Sequence, residues 1–319
     1  MRASVETLLA WFRRGRLVPG AGVEAPLLDA TELGELAQRL QRSPRPAPAQ
    51  REVAHRRLGE SRSVYRGSGM DYDESRPYQS GDDPRAMDWR LTARAGEPYV
   101  KLFREERRPA TFILVDRRAS MRFGTRVRLK VTQAARAAAV AAFDAQRRQS
   151  AIAGLLLESS PHWLAESASA EAALRFATAA ARPAPPQSGA TEPTLEAVLS
   201  QLVPLLVRGS TLWLISDFHD LSPACSGLLL QLAGEHQVHA VQVVDPAELA
   251  LPAAGPLRLS PAGGGAAAEI DSGDAAVRAR FAEAAAAHLA QRQERFAALN
   301  IPCVRLLSGT DALERELPL

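Results

Sequence analysis

From residue 111 onward the chain alternates short continuous apolar runs with longer stretches in which apolar residues recur every three or four positions. Thr111 to Asp116 (TFILVD) is too short for a helix and predicts a buried strand that ends in an acid. Ala151 to Glu158, Thr211 to Asp217 (TLWLISD), Val238 to Asp245 (VHAVQVVD) and Ile301 to Leu306 read the same way, with His162 to Ala165 as a hairpin partner of the first of these. Helical patterns lie between them at Arg126 to Arg148, Ala170 to Ala181, Thr194 to Val207, Pro223 to Gly234 and Asp274 to Leu299, while Leu251 to Gly273 is loop or hairpin. Strands alternating with helices of this length predict βαβ units, hence an α/β protein with a doubly wound, mostly parallel sheet covered on both faces. Ahead of it, a helical stretch from Leu27 to Gln41 is broken by Pro44, Pro46 and Pro48. The predicted organisation is a smaller helical and irregular N-terminal segment (1–48), a motif-bearing region (49–109) and the sheet domain (110–319).

In an open sheet of this kind ligands bind beyond the carboxyl ends of the strands, where the strand order reverses. Three predicted strands end there in carboxylates: Asp116, Asp217 and Asp245. Clustered oxygens at that place suit a hard cation such as Mg²⁺; the plainer use of each is to cap the following helix. Asp217, His219 and Asp220 share one loop, a mixture that hydrolytic metal sites employ. No second cluster at ligand spacing supports that use, and a polar loop leading into a helix is the preferred reading. Cys225 reads as a buried helical thiol, and no motif pairs it with His219 or His236. Gly67-Ser-Gly69 lacks a third glycine and a preceding strand, and no Walker-type lysine motif occurs, so the chain is not expected to bind ATP itself.

Composition narrows the class. The 319 residues are 46% hydrophobic and 24% charged, which is ordinary for a globular protein. Two cysteines, Cys225 and Cys303, make neither a disulfide framework nor a cysteine zinc site. No apolar run reaches the roughly 18 residues of a spanning helix. The start carries Glu6 inside its apolar patch and arginines after it, the reverse of a signal peptide. A soluble protein of a reducing, cytoplasmic compartment is expected.

The 39 basic residues are all arginine except Lys101 and Lys130, and they exceed the 36 acids by +3. A GC-rich coding sequence accounts for such a bias. The excess lies early: 20 basic and 16 acidic side chains precede residue 111, against 19 and 20 after it. Arg51, Arg56, Arg57, Arg62 and Arg66 form a run with little aromatic interleaving and with Glu52 and Glu60 inside it. It reads as a solvated or partner-facing surface, not a nucleic-acid site. Leu8, Leu9, Trp11 and Phe12, followed by Arg13, Arg14 and Arg16, suit either an anionic membrane surface or docking on the protein itself, and docking is preferred.

One stretch is denser in pattern than the rest: Arg76-Pro-Tyr78-Gln-Ser-Gly81-Asp82-Asp83-Pro-Arg85-Ala-Met-Asp88-Trp89-Arg-Leu-Thr-Ala93-Arg94. It resembles the hallmark of the DUF58 family, namely RxYxxGD, then D/E-x-R, then an aliphatic-Asp-Trp, then Ala-Arg. Asp116 followed by Ser120-Met121, Ile215-Ser216-Asp217-Phe218, and Val244-Asp245-Pro246-Ala247-Glu248 continue the likeness toward the C-terminus. Members of that family look like von Willebrand factor A-type domains with the hallmark ahead of the sheet. They are commonly encoded beside MoxR-type AAA+ ATPases and are thought to act with them in assembling or activating other proteins. The resemblance therefore implies a non-enzymatic protein-binding adaptor or co-chaperone whose partners are a MoxR-type ATPase and a client protein. Many relatives carry N-terminal membrane helices; none is expected here. In the hallmark itself, Gly81 allows a positive-φ turn, and Asp82, Asp83 and Asp88 are placed to pair with Arg76, Arg85 and Arg94. Tyr78 and Trp89 add apolar faces with polar handles. The motif is either a hydrogen-bonded staple onto the sheet domain or a partner-recognition surface.

The von Willebrand likeness also implies a metal-ion-dependent adhesion site: Asp-x-Ser-x-Ser after the first strand, a threonine from a later loop and an aspartate after the central strand. Asp116 matches the first position, Ser120 the second serine, Thr191 (or Thr194) the threonine and Asp217 the last aspartate. Arg118 stands where the first serine belongs. A guanidinium there supplies positive charge itself and leaves no room for Mg²⁺, and Arg117 and Arg122 make a cation still less welcome. The site is expected to be degenerate, with a weakly held Mg²⁺ as the alternative. Arg118 is expected to ion-pair directly with an acidic residue of the partner, at a rim formed by Asp116, Ser120, Thr191 and Asp217. The rival function is a divalent-metal-dependent hydrolase using Asp116, Asp217, His219 and Asp220.

Overall fold

In the computed structural model, which describes residues 25–43, 70–79, 81–105, 109–184, 192–259 and 268–319, the chain forms two compact units. One is Pro48–Arg108; the other joins Met1–Ala47 to Pro109–Leu319. Among the described residues the first element of the larger unit is helix α1 (Ala30–Arg42), capped by the Asp29 carboxylate, which accepts the Glu32 N–H at 2.8 Å. Leu33, Leu36 and Leu40 are spaced three and four apart, so they lie on one face and are buried together. The smaller unit is an antiparallel pair, β1 (Met70–Pro77) and β2 (Tyr99–Glu105), with helix α2 (Trp89–Ala95) in the connection. Neither strand is among those the hydrophobic pattern predicts.

The larger unit continues through β3 (Thr111–Asp116), α3 (Lys130–Arg147), β4 (Ile152–Leu157), β5 (His162–Ser167), α4 (Ala172–Ala180), α5 (Leu195–Leu202), β6 (Thr211–Ser216), α6 (Pro223–Glu235) and β7 (Gln237–Val244). Then come α7 (Pro246–Leu249), a small antiparallel pair of β8 (Pro256–Leu259) and β9 (Ala268–Asp271), α8 (Ala275–Ala298), β10 (Cys303–Leu307) and α9 (Leu313–Glu316). The main sheet runs β10-β7-β6-β3-β4-β5. All neighbours are parallel except β4 and β5. The chain thus starts in the middle at β3, builds outward to β5, and returns to build the other half from β6. The expected α/β, doubly wound, mostly parallel sheet is the one observed, and its switch point lies between β3 and β6.

The apolar runs are continuous because both faces are covered. Ile113, Val115, Trp213, Ile215, Val241 and Val243 pack on the side of α1, α3 and α4. Phe112, Leu114, Leu212, Leu214 and Ala240 pack on the side of α5 and α6, with Phe296 of α8 beneath them. On the first face α3 is sheathed nearly all round, and its alanines from Ala134 to Ala142 let sheet and neighbouring helices approach closely. The sequence pattern sets residues 1–48 apart from the sheet domain, but α1 shares the core of that domain: Leu36 and Leu40 belong to the same cluster as Val131 and Ala138.

Among the described residues no helix is long and apolar enough to cross a membrane. Leu8, Leu9, Trp11, Phe12 and the arginines after them, the Arg51–Arg66 run, Gly67–Gly69 and Thr191 lie outside the described residues.

Candidate functional site: the carboxyl ends of the sheet

Alternation along β3 puts Phe112, Leu114 and then Asp116 on one face, so the strand delivers a fully buried carboxylate to the switch point. Asp116 Oδ1 accepts the Arg118 backbone N–H and the Arg118 Nε–H, both at 3.0 Å. Its Oδ2 accepts Arg118 Nη2 at 2.8 Å and the Ser216 hydroxyl at 2.6 Å. A carboxylate has about four acceptor directions, and here all are taken. The other edge of the guanidinium holds Asp220, with Nη2 to Oδ1 at 2.9 Å and Nη1 to Oδ2 at 2.5 Å, and Nη1 also reaches the Pro193 carbonyl at 3.1 Å. Asp220 Oδ2 in turn accepts the N–H of Leu195, the first residue of α5. Arg118 therefore ties the end of β3, the loop after β6 and the start of α5. Burial opposes its charge, but Asp116 and Asp220 more than offset this and hold its pKa above the ordinary arginine value. The same pairing outweighs burial at Asp220 and keeps that carboxyl below its usual range.

Beside this pair is a second one that the sequence reading does not anticipate. Lys130, the first residue of α3, is 1% exposed and donates to Asp217 Oδ2 at 2.9 Å and to Glu248 Oε1 at 2.7 Å. Burial pushes its pKa down, but the two carboxylates outweigh burial and raise it. Asp217 is correspondingly held well below the carboxylate range, whereas burial dominates at Glu248 and pushes it up. Glu248 also accepts the Asp245 N–H at 2.8 Å, closing a capping box on α7. Asp245, the third strand-end acid, serves as a cap and cross-brace, accepting from Ala247 N, Thr125 N and the Ser308 hydroxyl, each at 3.0 Å.

The loop between Asp217 and Asp220 turns on Phe218, whose φ of 53° is unusual for a bulky residue. Its N–H donates to Ser216 Oγ at 3.0 Å, and its ring packs edge-on against Phe296 at 4.8 Å. The turn brings His219 back over the strand end. Asp217 Oδ1 accepts the His219 backbone N–H at 3.1 Å and lies 2.9 Å from ring Nδ1, while Ser120 Oγ lies 3.2 Å from that same Nδ1. A catalytic Ser-His-Asp relay uses the two ring nitrogens separately. With Nδ1–H given to Asp217, that nitrogen has no lone pair to take the Ser120 proton. Burial disfavours the imidazolium, but Asp217 outweighs it and raises the His219 pKa.

Asp116, Arg118, Ser120 and Asp217 thus come together as the sequence implies, and Asp220 and His219 join them. Thr194 caps α5 by accepting Ala197 N–H at 3.2 Å. Two expectations are corrected. Arg118 has no donor to offer a partner, since all five of its N–H groups are spent within the chain. Asp116 and Asp217 are 0% and 6% exposed, so the rim presents the half-buried His219, Asp220 and Glu248 instead. Nor do Arg117 and Arg122 crowd the site. Arg117 turns to the carbonyls of Ala180, Arg182 and Pro183, and Arg122 Nε donates to the Arg117 carbonyl. Cys225 is fully buried in α6, as expected. Lys130, Glu248 and Glu192, which accepts the Ala119 N–H at 2.8 Å, are the residues that sequence reasoning missed. The one available signal was compositional, Lys130 being one of two lysines in an arginine-dominated chain. Among the described residues no group of three or more His, Cys, Asp or Glu side chains is arranged to hold a metal ion.

In the smaller unit the hallmark residues are spent on local structure. Arg76 clamps Asp82 through two bonds of 2.9 and 2.6 Å, beside Gly81 at φ 112°. This pairing, with the Gln79 N–H, lowers the Asp82 pKa. Asp83 and Asp88 do not pair with Arg85 and Arg94. Asp83 accepts the Arg85 N–H, and Asp88 caps α2 through the Leu91 N–H while accepting from Ser75 Oγ at 2.9 Å. Trp89, the first residue of α2, is 67% exposed, and Tyr78 is half-buried.

A doubly wound α/β domain with an ion-paired switch point, carrying a small unit built on an Arg-Asp clamp, is the class that this architecture defines. The chain belongs to the DUF58 family, described as a protein of unknown function, whose pattern matches residues 74–291. Uncharacterized proteins of Mycobacterium tuberculosis and Mycobacterium bovis are each 33% identical to it over 261 residues, 80% of this chain and 80% of the relative. The crystal structure of the conserved hypothetical protein BatB from Bacteroides thetaiotaomicron is similar over 65% of this chain and 95% of that one, with a TM-score of 0.39 and 9% identity.

Proposed function

We propose that the chain is a non-enzymatic adaptor or co-chaperone of the cytoplasm, acting with a MoxR-type AAA+ ATPase in the assembly or activation of client proteins. One observation carries the non-enzymatic part: the strand-end carboxylates are committed to fixed cations or to capping bonds, and the Ser120-His219-Asp217 contact runs through a single ring nitrogen. Such an arrangement suits the bracing of loops, and its Ser120-His219-Asp217 contact is not the two-nitrogen relay of a nucleophilic triad. The ATPase enters through the family likeness, in which members are encoded beside such enzymes. In the smaller unit, the exposed indole of Trp89 on a firmly capped helix is the kind of aromatic anchor on which protein contacts concentrate.

The test is direct. The purified chain should co-elute with the MoxR-type ATPase of the same genome, and Trp89→Ala should weaken the complex roughly tenfold or more. A phosphatase or nuclease activity that requires a divalent metal and disappears in Asp217→Ala would overturn the reading in favour of the hydrolase.

A further inference from the structure

We infer that Arg118 and Lys130 are resident cations that stand in for a divalent metal ion at the switch point, so that the carboxyl ends of β3 and β6 are held together without metal. The inference is independent of the adaptor reading, because it concerns the isolated chain.

The residues that the von Willebrand likeness assigns to an ion do not fit one. Mg²⁺ demands near-octahedral oxygen ligands at about 2.0–2.1 Å. Asp116 has no acceptor direction left, since both of its oxygens already receive two hydrogen bonds. Asp217 spends Oδ1 on His219 and Oδ2 on Lys130. The Ser120 Oγ lies 3.2 Å from His219 Nδ1, whose own N–H is given to Asp217. An ion could reach Asp116 only by displacing the Arg118 guanidinium, which would strand Asp220 and free the Pro193 carbonyl at the start of α5. It could reach Asp217 only beside the buried Lys130 ammonium, which already holds Oδ2, Lys130 being 1% exposed.

The two cations also reproduce what an ion would do. Together they carry two positive charges. Arg118 bridges the β3 acid to the loop after β6, as a shared ion would, and its planar fork holds two carboxylates at once. Lys130 bridges the β6 acid to Glu248 and so extends the brace to the end of β7. Because both charges are covalently part of the chain, the brace is permanent and cannot be removed by chelation.

The experiment compares melting of the full chain in EDTA, in excess Mg²⁺ and in excess Mn²⁺. For the wild type the three curves should coincide, and calorimetric titration with either ion should give no saturable heat. Arg118→Ser restores Asp-x-Ser-x-Ser, and with Lys130→Met it removes both cations. The double variant should melt several degrees lower in EDTA and recover part of that loss on adding metal. A wild-type melting temperature that rises with Mg²⁺ or Mn²⁺ overturns the inference, and so does a double variant that folds yet gains nothing from either ion. Should the double variant fail to fold, Arg118→Lys keeps the charge with fewer donors. It should remain folded and indifferent to metal, and a metal response in it would again overturn the proposal. Loss of ATPase binding, by contrast, would bear only on the adaptor reading.

Discussion

At the scale of single residues, a lysine ammonium removed from water is tolerable only with carboxylates on it, and Lys130 has two, at 2.9 and 2.7 Å. Such a pair contributes little net stability over an apolar replacement, yet removing one partner leaves the others buried and unpaired. Lys130→Met should therefore cost about 3–5 kcal/mol, read as a lower urea midpoint at unchanged slope. Adding Asp217→Asn and Glu248→Gln removes the stranded charge and should restore part of the loss; no recovery would mean the lysine acts through packing alone. His219 gives a pH signature. Asp217 and Asp220 face it and favour its charged form, while burial and Arg118 oppose it, and the balance raises its pKa. Its stabilisation is thus complete below the ordinary value of 6.5 and fades as pH rises through the higher folded value. Between pH 6 and 9 the wild type should lose stability relative to His219→Gln, and parallel curves for the two proteins would refute this. The difference between Arg118 and Lys130 also shows what a sequence reveals at this scale. Arg118 was legible because its first acid is two residues away, inside one loop. The acids of Lys130 lie 87 and 118 positions off, and only the finished sheet brings them to it.

At the scale of elements, the central strands were legible because burial on both faces forces a continuous apolar run, as in TFILVD and TLWLIS. The pair β1 and β2 was not. Its strands read MDYDESRP and YVKLFRE, rich in charge, with a register shift between Tyr72 and Glu74. Helix ends were blurred for a local reason: α5 is shorter than its apolar pattern suggests and stops at Leu202, ahead of Pro204. Glycines separate what an element tolerates from what its neighbours do. A Cβ on Gly154 of β4 would come within 2.4 Å of the Ile113 carbonyl oxygen and 2.5 Å of the Phe176 ring in α4. Neither the central strand nor the packed helix gives way cheaply, so Gly154→Ala should destabilise by about 1–3 kcal/mol. A Cβ on Gly227 in α6 meets nothing within 4 Å, and Gly227→Ala should instead stabilise by about 0.4–1 kcal/mol through the unfolded chain. Urea titration of both variants checks the opposite signs.

At the scale of the whole molecule, the prolines at 44, 46 and 48 follow closely on the end of α1 at Arg42. A helix-breaking residue reports where an element ends; it carries no information about which core the element joins. That is decided by contacts made elsewhere in the chain. Arg147 reaches the Leu40 carbonyl at 3.0 Å, Arg136 pairs with Glu32 at 2.8 Å, and the Leu27 N–H donates to the Ala181 carbonyl at 2.7 Å. With Leu33, Leu36 and Leu40 under them, these contacts make α1 an outer layer of the sheet unit. Removing buried methyl groups there should cost as a core substitution does. Leu36→Ala, at a site 2% exposed, is expected to lose about 2–5 kcal/mol. Because the loss is to a cooperative core, it should appear far from the mutation along the chain. Amide exchange in β3 and β6 should accelerate in Leu36→Ala, while exchange in β1 and β2, which belong to the other unit, should keep its wild-type rate. If β3 and β6 keep their protection, α1 is an ornament on the sheet unit and not a layer of it; if β1 and β2 lose theirs in step, the two units unfold as one.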